Sequence, residues 1–195
     1  NAYGERRGIL VEHYIISSGL REIIEGTAIA KDFTHIYASS FYYNEHGEPC
    51  WPAQVINYTN KTQFLFRIEK GILDINDNAV NDHFAEGELR VPFRNIVYIG
   101  DSATDIPCMR LVNSLGGHSV GVYDLENTAS KDTVCRMIRD ERIRYYVPAD
   151  YTKGSEMDTL MHQIIDKTAA YEVLEEKHLR DRKEAVIQHM EEGQS

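Results

Sequence analysis

Three groups of residues have types and spacings suited to chemistry on a phosphoryl group. Ser17, Ser18 and Gly19 follow an apolar run, Lys61 opens a segment with helical spacing, and Asp101 and Asp105 sit in the turn Gly100-Asp101-Ser102-Ala103-Thr104-Asp105. A hydroxyl and backbone N–H groups at a helix start can hold a phosphoryl oxygen. A lysine can neutralise charge developing there, and two carboxylates can hold Mg²⁺. Taken singly, each group also has a structural explanation. Ser17-Ser18-Gly19 can cap the following helix. Lys61 can be an exposed first-turn lysine, although a cation there opposes the helix dipole. Asp101 and Asp105 can be an N-cap and a solvated acid. The order of all three along one chain is more specific than any one of them.

The elements that must position these groups can be read from periodicity. Gly8 to Ser18, with Ile9, Leu10, Val11, Tyr14, Ile15 and Ile16, predicts a buried strand ending in a small-residue turn. Leu20, Ile23, Ile24 and Ala28 predict a helix from Leu20 to about Ala30, and a short strand follows around His35 to Ser39. Phe41, Tyr42 and Tyr43 lead into Asn44-Glu45-His46-Gly47 and a second extended run reaches Ile56, the pattern of a β-hairpin. Its aromatic residues Phe41, Tyr42, Tyr43 and Trp51, with Tyr58, suit a substrate cleft, but packing along the hairpin is the favoured expectation.

Thr59 and Asn60 are suited to cap a helix from Lys61 to about Lys70, with Phe64, Leu65 and Ile68 inward and Gly71 ending it. Residues 74–94 are polar and predict a surface insertion. Asn95 to Ile99 predicts a strand, Ile106 to Leu115 a helix, His118 to Tyr123 a strand, 128–142 a helix and Ile143 to Val147 a last strand. Ser155 to about Glu192 predicts a long helix with a possible interruption, apolar on one face up to Leu174 and highly charged beyond it, as a solvated or partner-binding tail would be. Alternating strands and helices with short loops imply an α/β fold with a mainly parallel sheet. The expected division is 1–154 for the core and 155–195 for the C-terminal helix.

Composition narrows the function classes. The 195 residues carry a net charge of −10, which argues against sequence-independent nucleic-acid binding. No apolar run spans a bilayer, and Asn1 to Gly8 lack the core of a signal peptide. Cys50, Cys108 and Cys135 have no CxxC spacing and fit a reducing compartment, so a cytoplasmic location is expected. The histidines show no HxxxH or HExxH pattern. The chain opens on Asn1 rather than methionine, and a fragment of a longer protein is the simpler expectation.

The three groups together resemble the haloacid dehalogenase superfamily, in particular its phosphoserine-phosphatase-like members. Tyr14-Ile15-Ile16-Ser17-Ser18-Gly19-Leu20 resembles the family's second motif, in which a hydroxyl binds the phosphoryl group; Ser17 matches that role. Asn60-Lys61-Thr62-Gln63-Phe64-Leu65 resembles the third motif, whose lysine contacts phosphoryl group and nucleophile; Lys70, at a helix end, is the weaker alternative. Ile96 to Asp105 is similar to the fourth motif, GDxxxD, whose first aspartate binds Mg²⁺ and whose second supports the metal or its water.

The resemblance spans roughly residues 9–150 and implies a Rossmann-like core and hydrolysis of a small phosphate monoester through an aspartyl-phosphate. The first motif, DxDx[TV], is not in this chain: neither Asp74-Ile75-Asn76-Asp77 nor Asp32-Phe33-Thr34 follows an apolar strand. In the family, the nucleophile strand lies between the strands of motifs two and four. Its absence implies two exposed strand edges, a missing helical cap, and a chain that is inactive alone, re-paired, homo-oligomeric or completed by an N-terminal segment. The implied partner is a small phosphorylated substrate, with no nucleic acid and no membrane. A non-catalytic binding module that keeps the fold remnant is the alternative. A nucleotide-binding α/β protein ranks last, because neither GxGxxG nor GxxxxGK is present.

Overall fold

The computed structural model describes residues 1–192, and it is an α/β protein. The strands are β1 (Tyr14–Leu20), β2 (His35–Tyr43), β3 (Pro49–Gln54), β4 (Val97–Gly100), β5 (His118–Tyr123) and β6 (Tyr145–Pro148). The helices are α1 (Ala2–Arg6), α2 (Arg21–Glu25), α3 (Thr62–Lys70), α4 (Ile106–Ser114), α5 (Thr128–Arg139) and α6 (Glu156–Glu192). The chain divides into two compact units, one of Glu12–Asp150 and one of Asn1–Val11 with Tyr151–Ser195. Residues 193–195 of the expected C-terminal segment lie outside the described residues. No helix among the described residues is long and apolar enough to cross a membrane.

The larger unit holds all six strands in two three-stranded sheets. In the first, β1 pairs parallel with β2 and β2 antiparallel with β3. In the second, β5 lies between β4 and β6, all parallel. Parallel pairing requires crossovers, which α2 and its following turn supply between β1 and β2, α4 between β4 and β5, and α5 between β5 and β6. β1 and β4 are therefore each the edge of a sheet, with one hydrogen-bonded neighbour among the described residues. Edge strands are commonly blunted by proline, which cannot donate to a ladder. β3, the far edge of the first sheet, carries Pro49 and Pro52, whereas β1 and β4 carry none.

Packing explains these elements. α3 turns Phe64, Leu65 and Ile68 inward, as their spacing predicts. Phe64 and Ile68 join Tyr37 and Ile56 in one cluster, and Leu65 joins Phe93, Tyr98, Cys108, Met109 and Val112 in another. Ile16 of β1 packs against both. β5 is buried along its whole length, as a central parallel strand should be. Gly71 ends α3 at φ +74°, a left-handed cap favourable to glycine. The insertion over 74–94 is organised by α3 itself. Buried Arg67 donates to the carbonyls of Asp74 (2.6 Å), Ile75 (2.8 Å) and Asp77 (3.2 Å), and Lys70 donates to those of Val80 (2.7 Å) and Asp82 (2.8 Å).

Several boundaries differ from the periodicity reading. Residues 8–13 are not strand; the β1 ladder starts at Tyr14, where β2 begins opposite it at His35. The helix expected from Leu20 to Ala30 stops at Glu25, before Gly26, and leaves Ile23 69% exposed. Thr59 and Asn60 do not cap α3: the Asn60 amide oxygen accepts from Asn57 N–H, while Asn57 accepts from Thr59, so both close the preceding turn. Residues 93–95 form a 3₁₀ turn, shifting the next strand to Val97–Gly100; α5 ends at Arg139 and β6 starts at Tyr145.

In the smaller unit α6 runs without interruption for 37 residues. Tyr3 stacks on His162 with centroids 3.7 Å apart and donates to Asp166 at 2.9 Å, and Arg7 pairs with the same carboxylate at 2.8 Å. The α1 turn was not anticipated from the sequence, being a single short helix without strong periodicity.

A tight backbone approach just before β5 predicts a stability effect. A Cβ on Gly117 would lie 2.4 Å from the Phe93 carbonyl oxygen and 2.9 Å from that of Ile96, and neither backbone atom can swing away. Gly117→Ala is expected to cost about 1–3 kcal/mol as an overpacked site. An unchanged urea midpoint would contradict this packing.

Candidate functional site

The site is built where the starts of α3 and α4 meet the end of β4. Lys61 immediately precedes α3, and rather than being a solvated first-turn lysine it is only 6% exposed. Its Nζ donates to Asp105 Oδ1 at 2.7 Å, across a separation of 44 residues in sequence. Asp105 is 6% exposed and closes a 3₁₀ turn, Ala103–Asp105, directly before α4. Tyr98 of β4 donates to the same Oδ1 at 2.9 Å, and Ser102 donates to Oδ2 at 3.2 Å. Both oxygens of Asp105 are thus engaged, and an ammonium with three N–H donors keeps capacity beyond the one bond to Asp105.

Gly100 is required by this arrangement. A Cβ there would lie 2.7 Å from Asp105 Cβ and 2.8 Å from its Cγ and Oδ2, so the carboxylate packs directly over the glycine. Beneath it, burial first and then the neighbouring Cys108 and Asp105 push the Tyr98 hydroxyl far above the ordinary tyrosine range. It therefore serves as a hydrogen-bond donor and not as a base. Burial likewise pushes the Cys108 thiol up to about 11, which keeps this fully buried cysteine protonated and unreactive.

The other predicted residues are placed as follows. Ser17 lies half-buried within β1, which runs on through Ser18 and Gly19 to Leu20 where a small-residue turn was expected, with its ladder to β2 shifting register after Ser17. The Ser17 Oγ accepts from Gly19 N–H at 3.0 Å. Ser18 is exposed, and its carbonyl accepts from Ser39 Oγ at 3.1 Å. Asp101 is exposed in the turn after β4. Lys61 and Asp105 are brought into contact; Ser17, Ser18 and Asp101 are not hydrogen-bonded to that pair. Lys70 is committed to the carbonyls of the 74–94 insertion. Sequence reasoning missed Tyr98 and Ser102. A buried tyrosine in a short strand needs a partner for its hydroxyl, which was the available signal.

Mg²⁺ takes a near-octahedral shell of oxygens, commonly one or two carboxylates completed by water and phosphate. Asp101, exposed beside this cluster, fits such a donor. Asp105 does not fit as a direct ligand while Lys61, Tyr98 and Ser102 hold its oxygens. Among the described residues no group of three or more His, Cys, Asp or Glu is placed to hold a metal ion.

Removing one member of a buried pair strands the other's charge, at a cost of about 3–5 kcal/mol. Lys61→Met alone is expected to destabilise by that order, whereas Lys61→Met with Asp105→Leu should recover most of the loss. Urea melts of the single and double variants check this; a native-like midpoint for Lys61→Met would contradict the pair.

No protein-family model matches this chain. An uncharacterized protein of Borreliella burgdorferi (strain ATCC 35210 / DSM 4680 / CIP 102532 / B31) is similar, at 24% identity over 161 residues covering 75% of this chain and 55% of the relative. The chain thus spans about half the length of that curated relative.

Proposed function

We propose that residues 12–150 form the phosphoryl-binding part of a haloacid-dehalogenase-type phosphatase acting on a small phosphate monoester. The observation that carries this reading is the buried Lys61–Asp105 pair. It joins the two segments that resemble motifs three and four, holding an ammonium group at the ends of secondary structure where open parallel sheets bind ligands. Ser17, in β1 where its ladder with β2 shifts register, supplies the hydroxyl expected of motif two. The proline-free edges of β1 and β4 support the same reading, since a parallel strand bearing the nucleophile would pair with both.

In this reading each residue has a separate task. Ser17 and the backbone N–H groups beyond it donate to phosphoryl oxygens, and Lys61 offsets charge that spreads onto them. Asp105, fixed by Tyr98 and Ser102, keeps the Lys61 side chain from swinging away. Mg²⁺ held by Asp101 would neutralise part of the phosphoryl charge. The nucleophilic aspartate belongs to sequence outside residues 1–195, so this chain alone is inactive. A second reading, a non-catalytic binding module, draws on the distal part of α6, where Leu179 is 60% exposed and Val186 and Ile187 are each 49% exposed.

Turnover in the complete protein separates the two. Asp101→Asn should abolish Mg²⁺-dependent release of phosphate from p-nitrophenyl phosphate, and Ser17→Ala should lower kcat by about 10²–10³-fold, the effect of losing one donor to a developing oxyanion. Undiminished turnover in Asp101→Asn would overturn the metal assignment, and a folded complete protein with no turnover on any phosphate monoester would favour the binding module.

A further inference from the structure

The β2–β3 hairpin presents two different faces. Tyr42 and Trp51 are directly opposite each other, as are Phe41 and Pro52, so the first two share one face and the second two the other. Phe41 and Pro52 are exposed, and the Phe41 backbone N–H, in the plane of the sheet, donates to Glu22 Oε1 of α2 at 3.0 Å. Tyr42 and Trp51 face each other across the strands, as expected of hairpin aromatics, yet they remain 62% and 72% exposed, so this face is open. Strand addition does not account for this face, because the free edge of β3 carries two prolines.

The base of the hairpin is bonded to β1 next to Ser17 and to the turn before Lys61. On one leg, Ser39 pairs with Leu20, donates to the Ser18 carbonyl at 3.1 Å, and accepts from Ile56 N–H at 3.0 Å. On the other leg, the Asn60 amide donates to the Val55 carbonyl at 2.9 Å, one residue before Lys61. Tyr42 lies three residues beyond Ser39, a reach of about 10 Å along the strand. Residues 39–57 include Glu45 and Glu48 and no lysine or arginine, so the hairpin is unsuited to a second anionic group.

We infer that this face receives the leaving-group portion of the phosphate ester, a ring-bearing alcohol with no negative charge of its own, while Ser17 and Lys61 hold its phosphoryl end. The inference rests on the proposed phosphoryl-binding reading and assigns substrate selection to Tyr42 and Trp51. Rings stack on aromatic faces with useful energy beyond the area they cover.

Trp51 is the sole tryptophan, so its fluorescence reports this face directly. The 195-residue chain is titrated with phenyl phosphate, inorganic phosphate and benzyl alcohol, with ³¹P NMR measuring phosphate binding independently. Phenyl phosphate is expected to change Trp51 emission saturably, with inorganic phosphate competing. Tyr42→Ala and Trp51→Ala, both at exposed positions, are expected to raise the Kd for phenyl phosphate about two- to ten-fold and to leave that for inorganic phosphate unchanged. Equal affinity for the two phosphates with unaltered Trp51 emission would overturn the hairpin assignment and leave the phosphoryl site standing. A response to benzyl alcohol as strong as that to phenyl phosphate, without competition by phosphate, would overturn the link between hairpin and site. Binding of neither phosphate would overturn both readings.

Discussion

A charged pair buried between two helix starts constrains this molecule more than any other interaction. Lys61 and Asp105 are each 6% exposed, and neither tolerates burial alone. Their bond at 2.7 Å fixes the approach of α3 to the β4–α4 turn. Tyr98, bonded to Oδ1, and Ser102, bonded to Oδ2, then fix Asp105, and Gly100 leaves the room it occupies. The pair is a poor source of stability for its size, because desolvation offsets most of the attraction. What it supplies is position: a cation held still at the end of a parallel sheet.

The rest of the larger unit is arranged around that position. α3 carries Lys61 at its start and Arg67 and Lys70 further along, so one helix holds both the candidate site and the 74–94 insertion. The base of the hairpin is bonded to β1 beside Ser17 and to the turn before Lys61. β4 brings Asp101 to its carboxyl end and β1 carries Ser17 within its length, as the outer strands of separate sheets. Proline protects β3, the other edge of the first sheet, and the contrast with β1 and β4 gives the proposed pairing with a further strand a physical basis.

Much of this was legible in the residues. β5, the hairpin and the inward face of α3 have strong periodicity and clear turn signals, and all three form where the spacing predicts. The short elements were less legible. Whether residues 8–13 join a ladder depends on where β2 begins, and Gly26 outweighs the helical spacing of Leu20, Ile23, Ile24 and Ala28. The candidate residues were identifiable by type and order, but their contacts were not. Nothing local says that Lys61 is buried, that Asn60 braces a turn instead of capping a helix, or that both Asp105 oxygens are occupied. The openness of Tyr42 and Trp51 was likewise invisible, because the pattern that pairs aromatics across a hairpin does not say which of its faces has a neighbour.

The central claim is that Ser17 and Lys61 bound one oxyanion site. Its most direct test is a crystal structure of the chain soaked with tungstate, an electron-dense tetrahedral oxyanion whose position is unambiguous in anomalous maps. The account predicts a peak with oxygens within hydrogen-bond distance of both Ser17 Oγ and Lys61 Nζ, with the Lys61–Asp105 bond intact. Tungstate ordered elsewhere, with Ser17 and Lys61 contacting no oxyanion, would contradict it.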